Sequence, residues 1–246
     1  MRLRASWKLP AVLLVPLMIA AACGGHAPVP AASPAQQAAP AAHLGVPYDL
    51  VAADSLLEIR AYRGGALASA GHNHIIASHD LGGTVYVPDD ILKTSFEVRV
   101  PLATLTIDEA ALRAQEMSPD FPPEVPESAK QGTRAHMLGP ELLDADNNPQ
   151  IILSALGLTA DPGAADTVMA HIQASVRGAT HEFSAPVHYV RAGSSLTLTG
   201  QVRVRQSDLG LKPYSAMLGA LQVQDEMLIS FRLIARAATT HGGGTR

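Results

Sequence analysis

The feature that most constrains the fold is a strict alternation of apolar and polar side chains over long segments. In residues 167–176 (TVMAHIQASV), every second residue from Val168 to Val176 is apolar, and most of the residues between them are polar. Successive side chains of a strand point to opposite faces, so this pattern predicts half-buried antiparallel strands. The other segments that show strand patterns are 55–64, 83–88, 95–101, 181–190, 195–206 and 226–235.

Roughly seven to nine such strands must protect their edges, and an eight-stranded antiparallel barrel or a sandwich does so. Residues 108–149 break the alternation and carry two helix-like stretches, DEAALRAQEM and PESAKQGTRAHMLG. Asp108 is a candidate cap for the first helix, while Pro126 suits the first turn of the second and Gly139 its end. The sequence therefore predicts a mainly β fold with a short helical insertion.

The first residues, MRLRASWKLPAVLLVPLMIAAACGG, have a basic start and an apolar run from Leu9 to Ala22 before Cys23, the single cysteine. This order is typical of a secretory signal, and the run is shorter than the roughly 20 residues of a membrane span. The small residues before Cys23 resemble a bacterial lipoprotein processing box. That resemblance implies removal of residues 1–22 and lipidation of Cys23. An ordinary signal-peptidase cut, with Cys23 a plain thiol, is the alternative.

Composition divides the rest of the chain. Residues 24–45 contain eight alanines, four prolines and no Asp, Glu, Lys or Arg, which is typical of an extended linker. We therefore predict a linker over 23–46 that includes the lipidated Cys23, one domain over 47–237 and a flexible glycine-rich tail over 238–246. Removal of residues 1–22 would change the formal net charge from -4 to -7. An acidic exported domain argues against a nucleic-acid partner, which needs basic clusters.

Residues 71–80, GHNHIIASHD, concentrate three histidines and an aspartate. The nuclease motif named for H, N and H spreads these residues over a hairpin and a helix, whereas here they are contiguous. A metal site is an open alternative, because His72 and His74 leave the same face of a strand and His79 or Asp80 would complete a ligand set. The other interpretation places the pair at a barrel rim, beside a polar ligand head.

Sequence motifs for catalysis are weak in this chain. It contains no Gly-x-Ser-x-Gly elbow and no glycine-rich phosphate loop. A histidine-assisted hydrolase that uses residues 71–80 is a remaining alternative, without an evident nucleophile. We therefore predict a protein that is not an enzyme and has no cofactor.

The segment RQSDLGLKP, residues 205–213, places Asp208 and Lys212 on either side of Gly210. One interpretation is a polar contact for a ligand head at a cavity mouth. The other is a tight connector in which Gly210 supplies an unusual backbone angle and Pro213 ends the turn.

Three stretches resemble the YceI family of secreted, lipocalin-like barrels: SLLEIRAYRGGALASAGHNHIIA, NNPQIILSALGL and GQVRVRQSDLGLKPYSAMLGALQVQDEMLISFRL. The resemblance covers about residues 47–237. It implies a barrel around a long apolar pocket that binds a polyisoprenoid, fatty acid or fatty amide without catalysis. His72, His74, Asp208 and Lys212 would then orient the polar head.

The inward-facing strand residues would line that pocket, and we select Phe96, Val98, Phe183, Tyr189 and Phe231 as ligand contacts. Alternation alone does not distinguish a hollow barrel from a filled one, and the family resemblance favours the hollow one. The expected role is an envelope lipoprotein, held at the periplasmic face or the cell surface, that carries, stores or scavenges lipids. A structural or partner-binding scaffold with a filled barrel is the alternative.

Overall fold

A computed structural model describes residues 43–238. Residues 1–42 and 239–246 lie outside this part, and so do the predicted signal peptide, Cys23, most of the predicted linker and nearly all of the predicted tail. This described part contains two α-helices, α1 (Ala110–Gln115) and α2 (Glu127–Leu138). Within residues 43–238, neither is long and apolar enough to cross a membrane. The strands are β1 (Val46–Leu50), β2 (Leu56–Gly64), β3 (His74–Ser78), β4 (Gly82–Val87), β5 (Ser95–Pro101), β6 (Thr106–Ile107), β7 (Gln150–Ala160), β8 (Thr167–Val176), β9 (Ala179–Ala192), β10 (Ser195–Arg205), β11 (Ser215–Ala216) and β12 (Leu221–Ala237).

The strands form a closed antiparallel barrel. Their order is β1, β4, β5, β7, β8, β9, β10 and β12, and β12 pairs again with β1 through Tyr48 opposite Ala237. Each neighbour in this ring is antiparallel to the next. Closure removes the exposed sheet edges that an open sheet would carry. The prediction of an eight-stranded antiparallel barrel is confirmed.

The long strand β12 pairs with two strands from the start of the domain, β2 and β1. Its earlier part pairs with β2, up to Arg232 opposite Leu56, and its end pairs with β1. Between them the ladder is interrupted at Ile234. Its carbonyl accepts from the Val51 amide at 2.8 Å, and its amide donates to the Ser55 hydroxyl at 3.0 Å. The buried backbone groups of Ile234 thus stay paired between the two ladders. On the other side of β2, β3 pairs with β2, and β6 pairs with β3.

The predicted alternation sets which side chains face inward. Along β8, residues from Val168 to Val176 are buried at every second position, and those between are half-buried. The barrel begins slightly before residue 47, the predicted start of the domain. Strand β1 starts at Val46, and His43 stacks on Tyr86 with ring centroids 4.1 Å apart. The last residues assigned to the linker therefore contact the barrel.

The helical insertion lies between β6 and β7, as predicted for residues 108–149. Helix α2 starts after Pro126 and ends at Gly139. The prediction that Asp108 caps α1 is wrong: Glu109 stands at the N-cap. Asp108 instead is buried with a positive φ of 54° and accepts from the Ile75 amide, because the ladder edge of β3 offers it that donor.

Segment 108–125 covers the outer face of β3. Ile75 and Ala77 point outward there and pack against Leu112 and Phe121 in one buried cluster. This side of the barrel thus has apolar contacts on both faces of a strand, which explains why residues 75–77 are all apolar and do not alternate.

Candidate functional site

The barrel is hollow, and its larger cavity has a volume of about 560 Å³. The inner faces of the strands form most of its wall, and α2 closes one side with Thr133, His136 and Met137. Tyr214 and Gln222, which are exposed to solvent, mark its mouth. The volume lies within the usual range of about 300–1,000 Å³ for small-molecule sites. The alternative of a filled barrel does not fit this interior.

A second, smaller cavity of about 110 Å³ lies farther along the interior. It is bounded by the turn that carries Ile91 and Thr94. Apart from the hydroxyls of Thr94 and Tyr189, the side chains that line it are aliphatic or aromatic. Leu196, of which 1% is exposed, belongs to the packed cluster around this end. We call this cavity the small chamber.

The two cavities share five lining residues, so they adjoin inside the barrel, and we call these five residues the collar. Each of these residues comes from a different strand of the barrel. They are Leu57, Val100, Leu153, Ile172 and Phe231.

A buried polar cluster stands in the wall of the larger cavity. Asp108, whose side chain is fully buried, contacts His74 Nδ1 at 2.6 Å, and Arg113 Nη1 donates to it at 2.6 Å. Burial by itself would raise the pKa of Asp108. The hydrogen bonds from His74, the Ile75 amide and Arg113, with the electrostatic attraction of His74, outweigh burial and hold this pKa below its ordinary value of 3.8.

The cluster continues into the cavity through His74. The ionised Asp108 only accepts hydrogen bonds, so Nδ1 of His74 carries a proton. Nε2 of His74 is hydrogen-bonded to the Thr133 hydroxyl at 3.1 Å; the hydroxyl donates to a neutral imidazole and accepts from a protonated one. This contact orients the Thr133 hydroxyl, which keeps hydrogen-bonding capacity for a polar group in the cavity. His72 lies beside this pair, with its ring centroid 6.2 Å from that of His74.

The comparison with known families decides the identity of the fold. A family model described as the YceI-like domain matches residues 68–235, which is more than half of the chain. The chain belongs to the YceI family. The expectation from the sequence resemblance is thereby confirmed. A search among curated proteins finds no match.

Solved structures share this YceI fold at low sequence identity. The structure of Burkholderia cenocepacia BcnA matches with a TM-score of 0.55 and 15% identity, over 76% of this chain and 99% of the other. A polyisoprenoid-binding domain from Saccharophagus degradans, implicated in plant cell wall breakdown, matches with a TM-score of 0.50 and 9% identity, over 78% and 99%. At these identities the likeness describes the fold alone.

The structure brings most of the predicted contact residues to the interior of the YceI barrel. Phe96, Val98 and Tyr189 line the small chamber, and Phe183 lines the larger cavity. Phe231 lines both. His72 and His74 line the larger cavity on the side of its mouth.

Asp208 and Lys212 are not brought there. Both are exposed and lie outside the linings of the two cavities. Gly210, with φ 67°, and a short helical turn over Ser207–Leu209 shape the segment so that Leu209 and Leu211 face the larger cavity. The geometry favours the tight connector, and the charged side chains stay in water because their hydration is lost on burial.

The metal alternative finds little support in the geometry. His79 bonds to Glu109 at 3.0 Å, and both nitrogens of His74 have protein partners. Within residues 43–238, no group of three or more His, Cys, Asp and Glu side chains is arranged to hold a metal ion.

The order hydroxyl, imidazole, carboxylate in Thr133, His74 and Asp108 is also that of an activated nucleophile. Acyl transfer further needs N–H donors around the developing oxyanion. The amide of Thr133 lies inside α2 and is used by the helix, as are its neighbours. The amides nearest to the Thr133 hydroxyl therefore do not form an oxyanion hole.

The sequence interpretation missed the contribution of α2. Thr133 and His136 lie 59 or more residues from His74 in the chain, so no local spacing connects them. A signal was present in the helical pattern of Ala129, Thr133 and His136, spaced so that they share one face. His136 also packs against Tyr214 at an interplanar angle of 52°, with ring centroids 4.5 Å apart, and this contact joins α2 to the other side of the mouth.

Proposed function

We propose that this YceI protein binds one long apolar molecule with a polar head and does not transform it. The observation that carries the proposal is the pair of adjoining, mainly apolar cavities inside the barrel, of about 560 and 110 Å³. Transfer of apolar surface into such a cavity is favourable by about 25 cal/mol per Å². A chain that occupies both cavities gains this contribution along much of its length.

The ligand class follows from the shape and lining of the interior. A cavity that continues past a collar into an apolar chamber suits an extended chain better than a compact molecule. The Saccharophagus degradans neighbour, a polyisoprenoid-binding domain of the same fold, supports this class. Polyisoprenoids, fatty acids and fatty amides all have the required chemistry.

The head of the ligand lies at the mouth, where the polar side chains are. His72, Thr133 and His136 line the larger cavity there, and Thr133 is oriented by His74. A hydroxyl, carboxyl or amide group finds both donors and acceptors in this set. The head therefore stays close to solvent while the chain points inward.

The proposal also includes the cell envelope as the location. The signal-like residues 1–22 and Cys23 support export and lipidation, and a two-chain anchor suffices for stable membrane attachment. The protein then carries, stores or scavenges lipids near a membrane. Mass spectrometry of the membrane-extracted protein tests the anchor: an acylated Cys23 at the new N-terminus is expected, and an unmodified thiol contradicts it.

Organic extraction of the purified protein, followed by mass spectrometry, tests the binding. We expect a co-purified lipid, or saturable binding of prenyl and fatty-acyl probes by the protein once the lipid has been removed. A protein that yields no lipid and ignores both kinds of probe is a scaffold, which contradicts the proposal.

A matched pair of variants locates the bound molecule. Ala61 lines the larger cavity, so Ala61→Phe places a ring in the space that the ligand needs. Ala192 is exposed near the end of β9 and lies outside both linings, so Ala192→Phe adds the same ring elsewhere. Loss of binding is expected only in Ala61→Phe. Equal binding by the two variants would place the ligand outside the barrel.

A further inference from the structure

The two cavities adjoin at the collar, and Phe231 is the one aromatic side chain among the five collar residues. Phe231 lines both cavities and lies on β12. The other collar residues approach from β2, β5, β7 and β8, so the ring faces a wall of aliphatic side chains. Any chain that reaches the small chamber from the larger cavity passes this ring.

The position of the ring depends on Gly200. Gly200 on β10 stands directly opposite Phe231 in the ladder. A Cβ atom at position 200 would lie 2.4 Å from Cζ of Phe231 and 2.4 Å from the carbonyl oxygen of Pro186. The ring therefore occupies space beside the backbone of β10 that a side chain at position 200 would otherwise fill. A larger residue at position 200 would have to displace both the ring and the carbonyl of Pro186.

The two sides of the collar differ in chemistry. The larger cavity includes histidines, a threonine hydroxyl and glutamines, whereas the small chamber is lined almost throughout by hydrocarbon. A polar head gains no partner in the small chamber except near Thr94 and Tyr189. The end of an apolar chain has no polar group whose hydration would be lost there.

We propose that the small chamber is a subsite for the end of the ligand chain, and that Phe231, seated on Gly200, sets the chain length that the barrel accepts. This inference rests on the proposed function. Chains that end before the collar leave the small chamber empty, and chains that pass it bury further methylenes. Affinity rises about fourfold for each methylene buried, until the chain fills the chamber and the rise stops.

Displacement of a hydrophobic fluorophore from the purified protein by straight-chain fatty acids of increasing length tests this subsite. Val187 lines the small chamber, so Val187→Phe fills it. Val190 lies three residues farther along the same strand and is 49% exposed, so Val190→Phe is the matched control. For Val187→Phe the plateau comes two to three methylenes earlier, which lowers the affinity of the longest chains about 15- to 60-fold. The affinity of short chains stays unchanged, and Val190→Phe follows the wild type at every length.

Variants at the collar test the role of the ring. Phe231→Leu widens the passage, so methyl-branched chains gain affinity relative to straight ones. Gly200→Ala moves the ring inward, so it shifts the plateau in the same direction as Val187→Phe. Circular dichroism establishes whether Gly200→Ala folds. If it does not, the comparison of Val187→Phe with Val190→Phe still tests whether the small chamber holds the end of the chain.

Two results would overturn the inference. One is a plateau in Val187→Phe at the same chain length as in the wild type, which shows that the small chamber stays empty. The other is an equal loss at all chain lengths, which shows that the substitution disturbs the whole barrel. A wild-type protein that binds no chain of any length refutes the proposed function itself.

Discussion

The two ends of the barrel interior are built on different physical principles. At the mouth of the larger cavity, charged and polar side chains hold one another through the buried Asp108, and segment 108–125 covers the outer face of the wall. Around the small chamber, the wall is packed hydrocarbon that includes Leu196 and Phe96. The structure of the polar end depends on the directions of its hydrogen bonds and ion pairs. The structure of the apolar end depends on how its side chains fill the available volume. Substitutions should therefore act differently at the two ends.

The largest effect is expected from Asp108→Ala. It leaves the buried Arg113 guanidinium without its carboxylate and removes the acceptor for the Ile75 amide. Breaking a buried ion pair from one side costs about 3–5 kcal/mol. Urea unfolding measures this loss. Asp208→Ala is the control, because Asp208 is exposed, and it should change stability by less than about 0.5 kcal/mol. Equal effects at the two positions would show that the polar cluster does not hold this end together.

The apolar end should respond to lost volume. Leu196 is 1% exposed and lines the small chamber, so Leu196→Ala enlarges an existing cavity and lowers the free energy of unfolding by about 2–5 kcal/mol. Leu156 is 51% exposed, and Leu156→Ala is the matched control with little expected effect. Thermal unfolding of both variants compares them. A negligible loss in Leu196→Ala would indicate that the small chamber collapses freely.

Acid should weaken the polar end and leave the apolar end unaffected. The pKa of Asp108 is lower in the folded protein than its ordinary value of 3.8 because of its hydrogen bonds to His74 and the Ile75 amide and its neighbouring charges, despite burial. A depressed pKa contributes stability that is present above the unfolded-state value and disappears as the pH falls through the folded-state value. Urea unfolding at a series of pH values below 5 should show this decline.

Asp108→Asn supplies the control for the acid effect. Asn tolerates the positive φ of 54° at this position and does not ionise. The pH dependence below 3.8 should therefore be flatter in this variant than in the wild type, although its stability at neutral pH is lower. Identical slopes in the two proteins would assign the acid sensitivity to other carboxylates.

The smallest effect is expected from Thr133→Val. The hydroxyl that is hydrogen-bonded to His74, and that faces the proposed ligand head, is lost while the shape of the side chain is kept. One hydrogen bond contributes about 0.5–1.5 kcal/mol, so the affinity for a ligand with a polar head should fall roughly two- to tenfold. A headless hydrocarbon probe should bind unchanged. Thr180→Val, at an exposed position of β9, should match the wild type with both ligands. A loss that is the same for the headless probe would place the head elsewhere.

The sequence was most informative where structure is periodic. In β8 and β12 the alternation identifies the inward side chains, because a strand turns each successive side chain to the opposite face. Prediction was poorer in β3, where apolar residues on both faces hide the alternation. It was also poorer for Asp108, since its helix-cap position in the sequence resembles many others and its partner Ile75 lies 33 residues away.

The amino-acid pattern by itself determined that this chain forms antiparallel strands with one apolar face and a helical insertion, because period and turn residues are local properties. Only the tertiary structure decided that these strands close into a hollow barrel, that Phe231 lines both of its cavities and that α2 brings Thr133 to His74. The physical reason is that a cavity is a difference between the volume a closed wall encloses and the volume its side chains fill. That difference depends on contacts among strands distant in sequence, and no single segment contains it.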